Sequence, residues 1–143
     1  MSSNRIYSIN GPVVTIKGPT DLTMQEMVYV GEKRLIGEVI SIDADRTTIQ
    51  VYETTTGLRV GEEIAGTGAP LSATLGPGIL SNIFDGIERP LRDIEKLDGA
   101  FIGTGSSIPS LDTERKWDVT IKVAVGDELK GGDIYATCPE TPL

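Results

Sequence analysis

The chain has 143 residues, a length that suits one domain or two small ones. Its composition, 38% hydrophobic and 24% charged residues, is ordinary for a globular protein, and its longest apolar runs are too short to span a bilayer. The formal net charge is −8 and no stripe of Lys and Arg is present, so we expect no nucleic-acid partner and no membrane insertion.

Histidine is absent, and cysteine occurs once, as Cys138. The lack of histidine removes Ser/His and Cys/His triads and most zinc sites. A single cysteine cannot form an internal disulfide, and the N-terminus lacks the charged-then-apolar pattern of a secretory signal. We therefore expect a reducing, cytoplasmic setting, and we predict no catalytic, nucleotide-binding or metal-ligating residue in this chain.

A β-hairpin is predicted near the middle of the first half. In RTTIQVYE, Thr47, Ile49 and Val51 fall on one face of a strand and alternate with the residues of the other face. The stretch RLIGEVISI precedes it across a short Asp-Ala-Asp turn, so the two strands should pair antiparallel. Gly37 lies within the first of them and predicts a bulge there.

Two further strand candidates, IYSINGPVVTI and EMVYV, precede the hairpin. The Asn10-Gly11-Pro12 segment permits a turn or bulge in the first, and Gly31 ends the second. Several short strands at close spacing, with no helical pattern between them, indicate a barrel in which few strand edges stay exposed. We predict a small closed β-barrel over residues 1–68 of a mainly β protein.

The composition of residues 69–91 predicts a connector that is rich in Gly and Pro and partly helical. Apolar residues in ILSNIF recur at helical spacing for about one turn, after which Gly86 can supply a positive φ. A second short helix is predicted in ERPLRDIEKLDG, with Pro90 in its first turn and Gly99 at its end. Its apolar stripe consists of Leu91, Ile94 and Leu97.

The residue pattern over 92–143 predicts a second, incomplete, lipoyl-like β module. Ile121, Val123 and Val125 alternate with more polar or smaller residues, as in a strand. The stretch VGDELKGGD then gives a tight turn region before a last strand candidate, IYATC.

Several motifs follow one another along the chain: RLIGEVI, IQVYE-x-T-x-GL-x-x-GE, PLS-x-x-LGPGIL, IFDGI-x-RPL, FI-x-x-G, KW and VGD-x-x-x-GGDI. In this order they resemble the catalytic A subunit of archaeal and bacterial V/A-type rotary ATPases. The resemblance covers nearly the whole chain. Its most specific part is the extension after Arg89-Pro90-Leu91, which in that subunit is the bulge, or non-homologous region.

The resemblance implies that residues 1–68 join five similar barrels in a crown at the membrane-distal end of a head of three A and three B subunits. The part from about residue 92 onward would open the bulge, on the outside of the head near the peripheral stalk. The whole subunit would couple ATP synthesis or hydrolysis to H⁺ or Na⁺ transport, in the cytoplasm and peripheral to the membrane. ATP or ADP and Mg²⁺ would bind to portions beyond this chain, which would hold no cofactor and would be inactive alone.

The stretch GAFIGTGSS superficially echoes a phosphate-binding loop. Such a loop needs a second Gly five positions after the first, followed by Lys, whereas here Thr104 follows Gly99 at that spacing and no Lys follows. We do not expect phosphate binding here. Thr104-Gly105 also departs from the Arg-Gly of the family, so no contact of that Arg carries over.

A run of carboxylates in and after the connector invites comparison with a divalent-metal site. It consists of Asp85, Glu88, Asp93, Glu95 and Asp98. The run lacks the alternating ligand positions, the Gly turn and the terminal bidentate Glu of a Ca²⁺ loop. A solvated acidic surface is therefore favoured.

The candidate inter-subunit contacts are Arg59, Tyr52 and Trp117. Arg59 lies between Glu53 and Glu62 in the sequence and is expected to pair with a neighbouring barrel, although an exposed pair contributes only about 0 to 1 kcal/mol. Tyr52 and Trp117 either anchor an interface or fill a core, and for Trp117 the two interpretations weigh equally. Isolated barrels should expose a contact patch, so we expect a monomer or a weak assembly.

An alternative hypothesis is an independent β-barrel binding module of the oligonucleotide-binding type with a lipoyl-like appendage. The stretch VGDELKGGDI is similar to a hairpin of biotinyl and lipoyl domains, but no Met-Lys-Met or Asp-Lys-Ala attachment turn is present. The acidic charge and the lack of an aromatic-basic face argue against this hypothesis.

Overall fold

The computed structural model describes residues 4–80, 82–99 and 108–140. The elements are β1 Ser8–Asn10, β2 Val13–Lys17, β3 Glu26–Val30, β4 Leu35–Asp43, β5 Arg46–Val51, β6 Ile64–Pro70, α1 Leu91–Asp98, β7 Thr120–Ile121 and β8 Ala136–Thr137. The mainly β class predicted from the sequence is confirmed. In the described ranges, α1 is the longest helix, and none is long and apolar enough to cross a bilayer.

Strands β1 to β6 form one antiparallel sheet in the order β1-β2-β5-β4-β3-β6. The predicted hairpin is confirmed, because β4 and β5 pair with Asp43 opposite Arg46. The predicted alternation is confirmed as well, since Thr47, Ile49 and Val51 are all buried. The core side chains of this sheet are Ile6, Val14, Ile16, Leu22, Val28, Val30, Leu35, Val39, Ile49, Val51 and Ile64.

The prediction of a closed barrel is wrong in one respect, because the two edge strands β1 and β6 do not pair along their length in the described part of the chain. The gap between them is crossed at one end by residues 4–6, which we call the seam. Arg5 and Glu63 form an isolated antiparallel bridge, and the N–H of Ile6 donates to Glu62 O at 2.9 Å. β1 has only three residues and already pairs with β2, so β1 itself does not close the gap to β6.

The bulge lies three residues after the predicted position. The register between β4 and β5 shifts between Val39 and Ser41, whereas Gly37 stays in register opposite both Val28 and Val51. A Cβ on Gly37 would lie 2.9 Å from the backbone oxygen of Gln50, so glycine is needed here because two backbones approach closely. Sequence alone does not distinguish these two uses of a strand glycine.

The hydroxyl of Thr47 is buried in the core without a hydrogen-bond partner. Valine has nearly the same shape, and a buried unsatisfied hydroxyl costs about 1–3 kcal/mol. Thr47→Val should therefore raise the free energy of unfolding by about 1 kcal/mol, measured by urea denaturation. The control Thr48→Val, on the half-buried opposite face, should change it by less than about 0.5 kcal/mol. An unchanged or lower urea midpoint for Thr47→Val would contradict this account.

One of the two predicted helices is present, and it starts at the end of the connector. α1 begins after Pro90, ends at Gly99 with a φ of 76°, and buries Ile94, while Leu97 of the predicted stripe is 72% exposed. The first predicted helical turn is wrong, because residues 79, 80 and 82–84 are not helical. Gly86 does not adopt a positive φ either.

The positive φ lies instead at Glu88, with a φ of 62°. Asp85 explains the difference, since its Oδ1 accepts the backbone N–H groups of Ile87 and Arg89 at 3.0 and 2.9 Å. Side-chain acceptors of this kind offer the backbone an alternative to helical hydrogen bonds.

The second β module is less regular than predicted. β7 and β8 pair antiparallel over two residues each, so the strand predicted to run through Val125 ends at Ile121. The side chains of Ile121 and Val125 are both exposed, because no further strand lies beside β7 in the described residues. The predicted turn region is present: Asp127 Oδ2 accepts the N–H of Ala124 at 2.8 Å, and Asp133 Oδ2 accepts that of Lys130 at 2.8 Å.

Candidate contact residues and the barrel–connector junction

Arg59 lies in the exposed loop between β5 and β6. Its backbone N–H donates to Glu62 Oε1 at 3.0 Å, so the predicted neighbour Glu62 holds the loop backbone rather than the guanidinium. The guanidinium forms no ion pair with any residue that the structure describes. It lines a surface depression beside Val60, whose side chain is 65% exposed, and Arg5 of the seam. The guanidinium of Arg59 and the apolar side chain of Val60 are therefore both exposed at this end of the sheet.

Tyr52 follows the last residue of β5 and is 41% exposed. Its hydroxyl donates to Glu38 Oε2 of the adjacent strand β4. This hydrogen bond raises the pKa of Tyr52, and burial and the negative charge of Glu38 act in the same direction. The ring is thus held in one orientation on the surface and is not a core filler.

Trp117 is half-buried and packs within its own chain. The guanidinium carbon of Arg115 lies 4.0 Å from the centre of its ring. On another side, ring atom Cζ2 lies 3.3 Å from the position that a Cβ on Gly78 would occupy. No hydrogen bond, ion pair or ring contact of the described residues joins any two of Arg59, Tyr52 and Trp117. A shared contact site is therefore not formed within one chain.

The most buried charged cluster is one that the sequence analysis did not identify, an ion-pair junction between barrel and connector. Arg89 Nη1 lies 2.8 Å from Glu53 Oε2, and Arg89 Nε lies 2.7 Å from Asp85 Oδ2. The side chains of Arg89, Glu53 and Asp85 are only 12%, 4% and 19% exposed. Glu53 Oε1 also accepts the N–H of Ile36 at 3.3 Å, which fixes the junction to β4.

The pKa values of the junction follow from these contacts. Burial acts to raise the pKa of Asp85, but hydrogen bonds from the backbone and guanidinium of Arg89 and from the N–H of Ile87 lower it below its usual range. Burial acts in the opposite sense on Arg89, yet its two carboxylate partners raise its pKa. Asp85 and Arg89 are therefore both held in their ionised forms at the junction. The i,i+4 spacing of Asp85 and Arg89 in IFDGI-x-RPL was the available sequence signal.

The expected solvated acidic surface is correct for only part of the carboxylate run. Asp93 forms an exposed pair with Lys96 at 2.7 Å. Asp85 belongs to the buried junction, and Glu88 Oε2 accepts the N–H of Thr74 at 2.8 Å while its Oε1 is buried without a partner. In the described ranges, no three His, Cys, Asp or Glu residues are grouped to hold a metal ion. The GAFIGTGSS stretch beyond Gly99, including Thr104, lies outside the described residues.

A cavity of about 270 Å³ lies between the barrel and the connector, beside the junction. Its lining includes Tyr29 and Arg34 from the barrel, together with Thr74, Glu88 and Arg89 from the connector. Arg34 stacks over the Tyr29 ring at 4.1 Å. The volume is below the range of about 300–1,000 Å³ that is typical of small-molecule sites. Of the two cations in its described lining, Arg34 stacks on Tyr29 and Arg89 pairs with Glu53 and Asp85.

Comparison with known families gives the class of the chain. Residues 6–68 match the β-barrel domain of the ATP synthase alpha/beta family, and residues 108–143 match the barrel-sandwich domain of ATP synthase alpha/beta subunits. The assembled ATPase EscN of the enteropathogenic E. coli type III secretion system has a similar fold, with a TM-score of 0.55 and 24% identity over 61% of this chain and 21% of EscN. This likeness concerns the fold alone.

Sequence relatives give a finer assignment. The chain is 54% identical over 96% of its length to the V-type ATP synthase alpha chain 2 of Clostridium tetani and covers 23% of that protein. It is 52% identical over 96% of its length to the corresponding A subunit of the A-type ATP synthase of Nanoarchaeum equitans and covers 24% of it. The chain therefore belongs to the A-chain, or alpha-chain, family of V/A-type ATP synthases. It spans about a quarter of the length of these relatives.

Proposed function

We propose that this chain is the N-terminal structural and assembly portion of the catalytic A subunit of a rotary V/A-type ATPase. The observation that carries the proposal is the identity of about half of its residues to A chains over nearly its whole length. In the complete complex, ATP synthesis or hydrolysis is coupled to H⁺ or Na⁺ transport, and ATP, ADP and Mg²⁺ bind to other portions of the subunit. The complex lies at the cytoplasmic side of the membrane as a peripheral head.

Within that head, the barrel joins a crown with the barrels of the B subunits and the other A subunits. The Arg59 guanidinium, which has no ion-pair partner among the described residues, and the exposed Val60 support a contact at the loop between β5 and β6. Tyr52, held on the surface by Glu38, offers a second, aromatic contact. The module that contains Trp117 projects from the barrel toward the peripheral stalk as the first part of the bulge.

Titration of the 143-residue chain with Mg-ATP, single-stranded DNA and the isolated B-subunit barrel tests the proposal. We expect heat of binding with the B-subunit barrel and none with Mg-ATP or DNA. Binding of single-stranded DNA would favour a barrel of the oligonucleotide-binding type. Binding of Mg-ATP, or no association with the B-subunit barrel at millimolar concentration, would contradict the assembly role.

Charge reversal at the proposed contact should weaken this association selectively. Arg59→Glu is expected to reduce the affinity for the B-subunit barrel about tenfold or more, because it places a like charge against an interface selected for a cation. The matched control is Arg46→Glu, since Arg46 is also exposed but starts β5 and so lies at its opposite end from the loop that follows Val51. Equal losses for the two variants would show that only net charge matters.

A further inference from the structure

The loop 76–80, within the LGPGIL motif, holds a carboxylate from the far end of the chain. Glu140 Oε1 accepts the backbone N–H of Gly78 at 2.9 Å and that of Leu80 at 3.0 Å. Two backbone donors thus converge on one carboxylate oxygen, and hydrogen bonds to an ionised acceptor are stronger than neutral ones. The arrangement is a backbone nest of the kind that binds anions.

The backbone of this loop is specialised for the arrangement. Gly78 has a φ of 102°, a conformation that a side chain would disfavour. Ile79 N–H donates to Gly76 O at 3.3 Å and closes a turn, while Asn82 Nδ2 donates to Gly78 O at 2.8 Å from the other side. The donors of the nest are therefore held in place by hydrogen bonds that do not involve Glu140.

A second part of the same module also packs on the loop. A Cβ on Gly76 would lie 2.9 Å from Leu111 Cδ1, and a Cβ on Gly78 would lie 3.3 Å from Trp117 Cζ2. Both glycines therefore leave room for apolar side chains of the module. Three side chains from two separate stretches thus contact Gly76, Gly78 and Leu80 of this loop, so the loop is a point of attachment between the module and the connector.

We propose that loop 76–80 is a carboxylate-binding nest with Glu140 as its ligand, and that this contact fixes the orientation of the module 108–140 on the connector. The inference is independent of the assembly role proposed above, since every group involved belongs to one chain. Trp117, which packs on Gly78, provides the apolar part of the same contact between module and connector. The chemical class that the nest accepts is a carboxylate, presented from the module.

The test uses the 143-residue chain and the variant Glu140→Ala, with Glu128→Ala as an exposed control in the same module. Amide exchange followed by NMR should show the N–H groups of Gly78 and Leu80 exchanging about tenfold faster or more in Glu140→Ala. The fluorescence of Trp117, the single tryptophan of the chain, should shift to the red at the same time. Glu128→Ala should change neither signal.

Glu140→Gln keeps an acceptor oxygen but loses the charge, so it should lie between the wild type and Glu140→Ala. Unchanged exchange at Gly78 and Leu80 in Glu140→Ala would overturn the proposal. Equal acceleration of the Ile49 amide in the barrel core would overturn it too, because the contact would then act on the whole fold rather than on one joint. Neither result depends on whether the barrel binds a B subunit.

Discussion

Arg89→Ala is expected to lower the free energy of unfolding by about 3–5 kcal/mol, the largest effect that we expect of a single substitution in this chain. The substitution removes the guanidinium that pairs with both Glu53 and Asp85 and leaves their carboxylates without it. The Glu53 side chain is only 4% exposed, so its carboxylate is poorly hydrated in the fold. Removal of the cation is costly, because it no longer offsets the desolvation of the two buried carboxylates.

Urea denaturation at neutral pH measures this loss. Arg92→Ala removes a neighbouring exposed Arg and should change the free energy of unfolding by less than about 0.5 kcal/mol. Arg89→Lys should fall between the two, since an ammonium group does not bind two carboxylates with the fixed geometry of a guanidinium. A loss below about 1 kcal/mol for Arg89→Ala would mean that the junction does not contribute to the stability of the fold.

The same junction gives stability a defined dependence on pH. The pKa of Asp85 is lowered in the folded state from a usual value of 3.8, so the carboxylate is stabilised in its ionised form by folding. Its contribution is therefore fully present above about pH 4 and is lost as the pH falls through the lowered folded pKa. Arg89→Ala keeps the backbone N–H groups of residues 87 and 89 that lower this pKa but removes the part due to the guanidinium, so the acid-induced loss should be smaller than in the wild type, though not abolished.

Glu26→Ala is expected to lower the free energy of unfolding by about 2–3 kcal/mol, the second largest effect. Glu26 is 5% exposed at the start of β3. Its Oε2 accepts the backbone N–H of Thr23 at 2.8 Å and the Thr23 hydroxyl at 3.0 Å, and its Oε1 accepts the N–H of Gly68 at 2.8 Å. The variant would leave two backbone donors unsatisfied where the β3–β6 register shifts.

Thermal and urea unfolding of Glu26→Ala are compared with those of Glu32→Ala, an exposed carboxylate just beyond β3, which should have little effect. Burial acts to raise the pKa of Glu26, but hydrogen bonds from Thr23 and Gly68 lower it overall from 4.5. Its contribution is likewise present above about pH 4.5 and is lost at lower pH. A stability of Glu26→Ala equal to that of Glu32→Ala would show that these donors find other acceptors.

The barrel was predictable where local pattern and tertiary role agree. The alternation through Thr47, Ile49 and Val51 correctly identified a half-buried strand, because burial against a sheet imposes a period of two. The helix after Pro90 was predictable for the same reason, since its start and stop residues act locally.

Features that depend on distant partners were not predictable. The strand through Val123 and Val125 needs neighbours to bury its apolar face, and in the described ranges only β8 lies beside it. The segment ILSNIF is not helical in its described residues, and the junction joins Glu53 to Arg89, which are far apart in the sequence. Of the contact residues, the sequence left Tyr52 open between an interface anchor and a core filler, and only the structure places it on the surface. The packing of Trp117 against Gly78 likewise required the structure.

The seam also lies directly under the loop that carries Arg59. The N–H of Gly61 donates to Ile6 O at 2.8 Å, and Arg5 Nη1 donates to Gly61 O at 2.8 Å. In the proposed crown, a neighbouring barrel seated on this loop would shield those bonds from water. In the crown that we propose, a contact made at this loop would therefore also cover the place where the sheet is left open between β1 and β6.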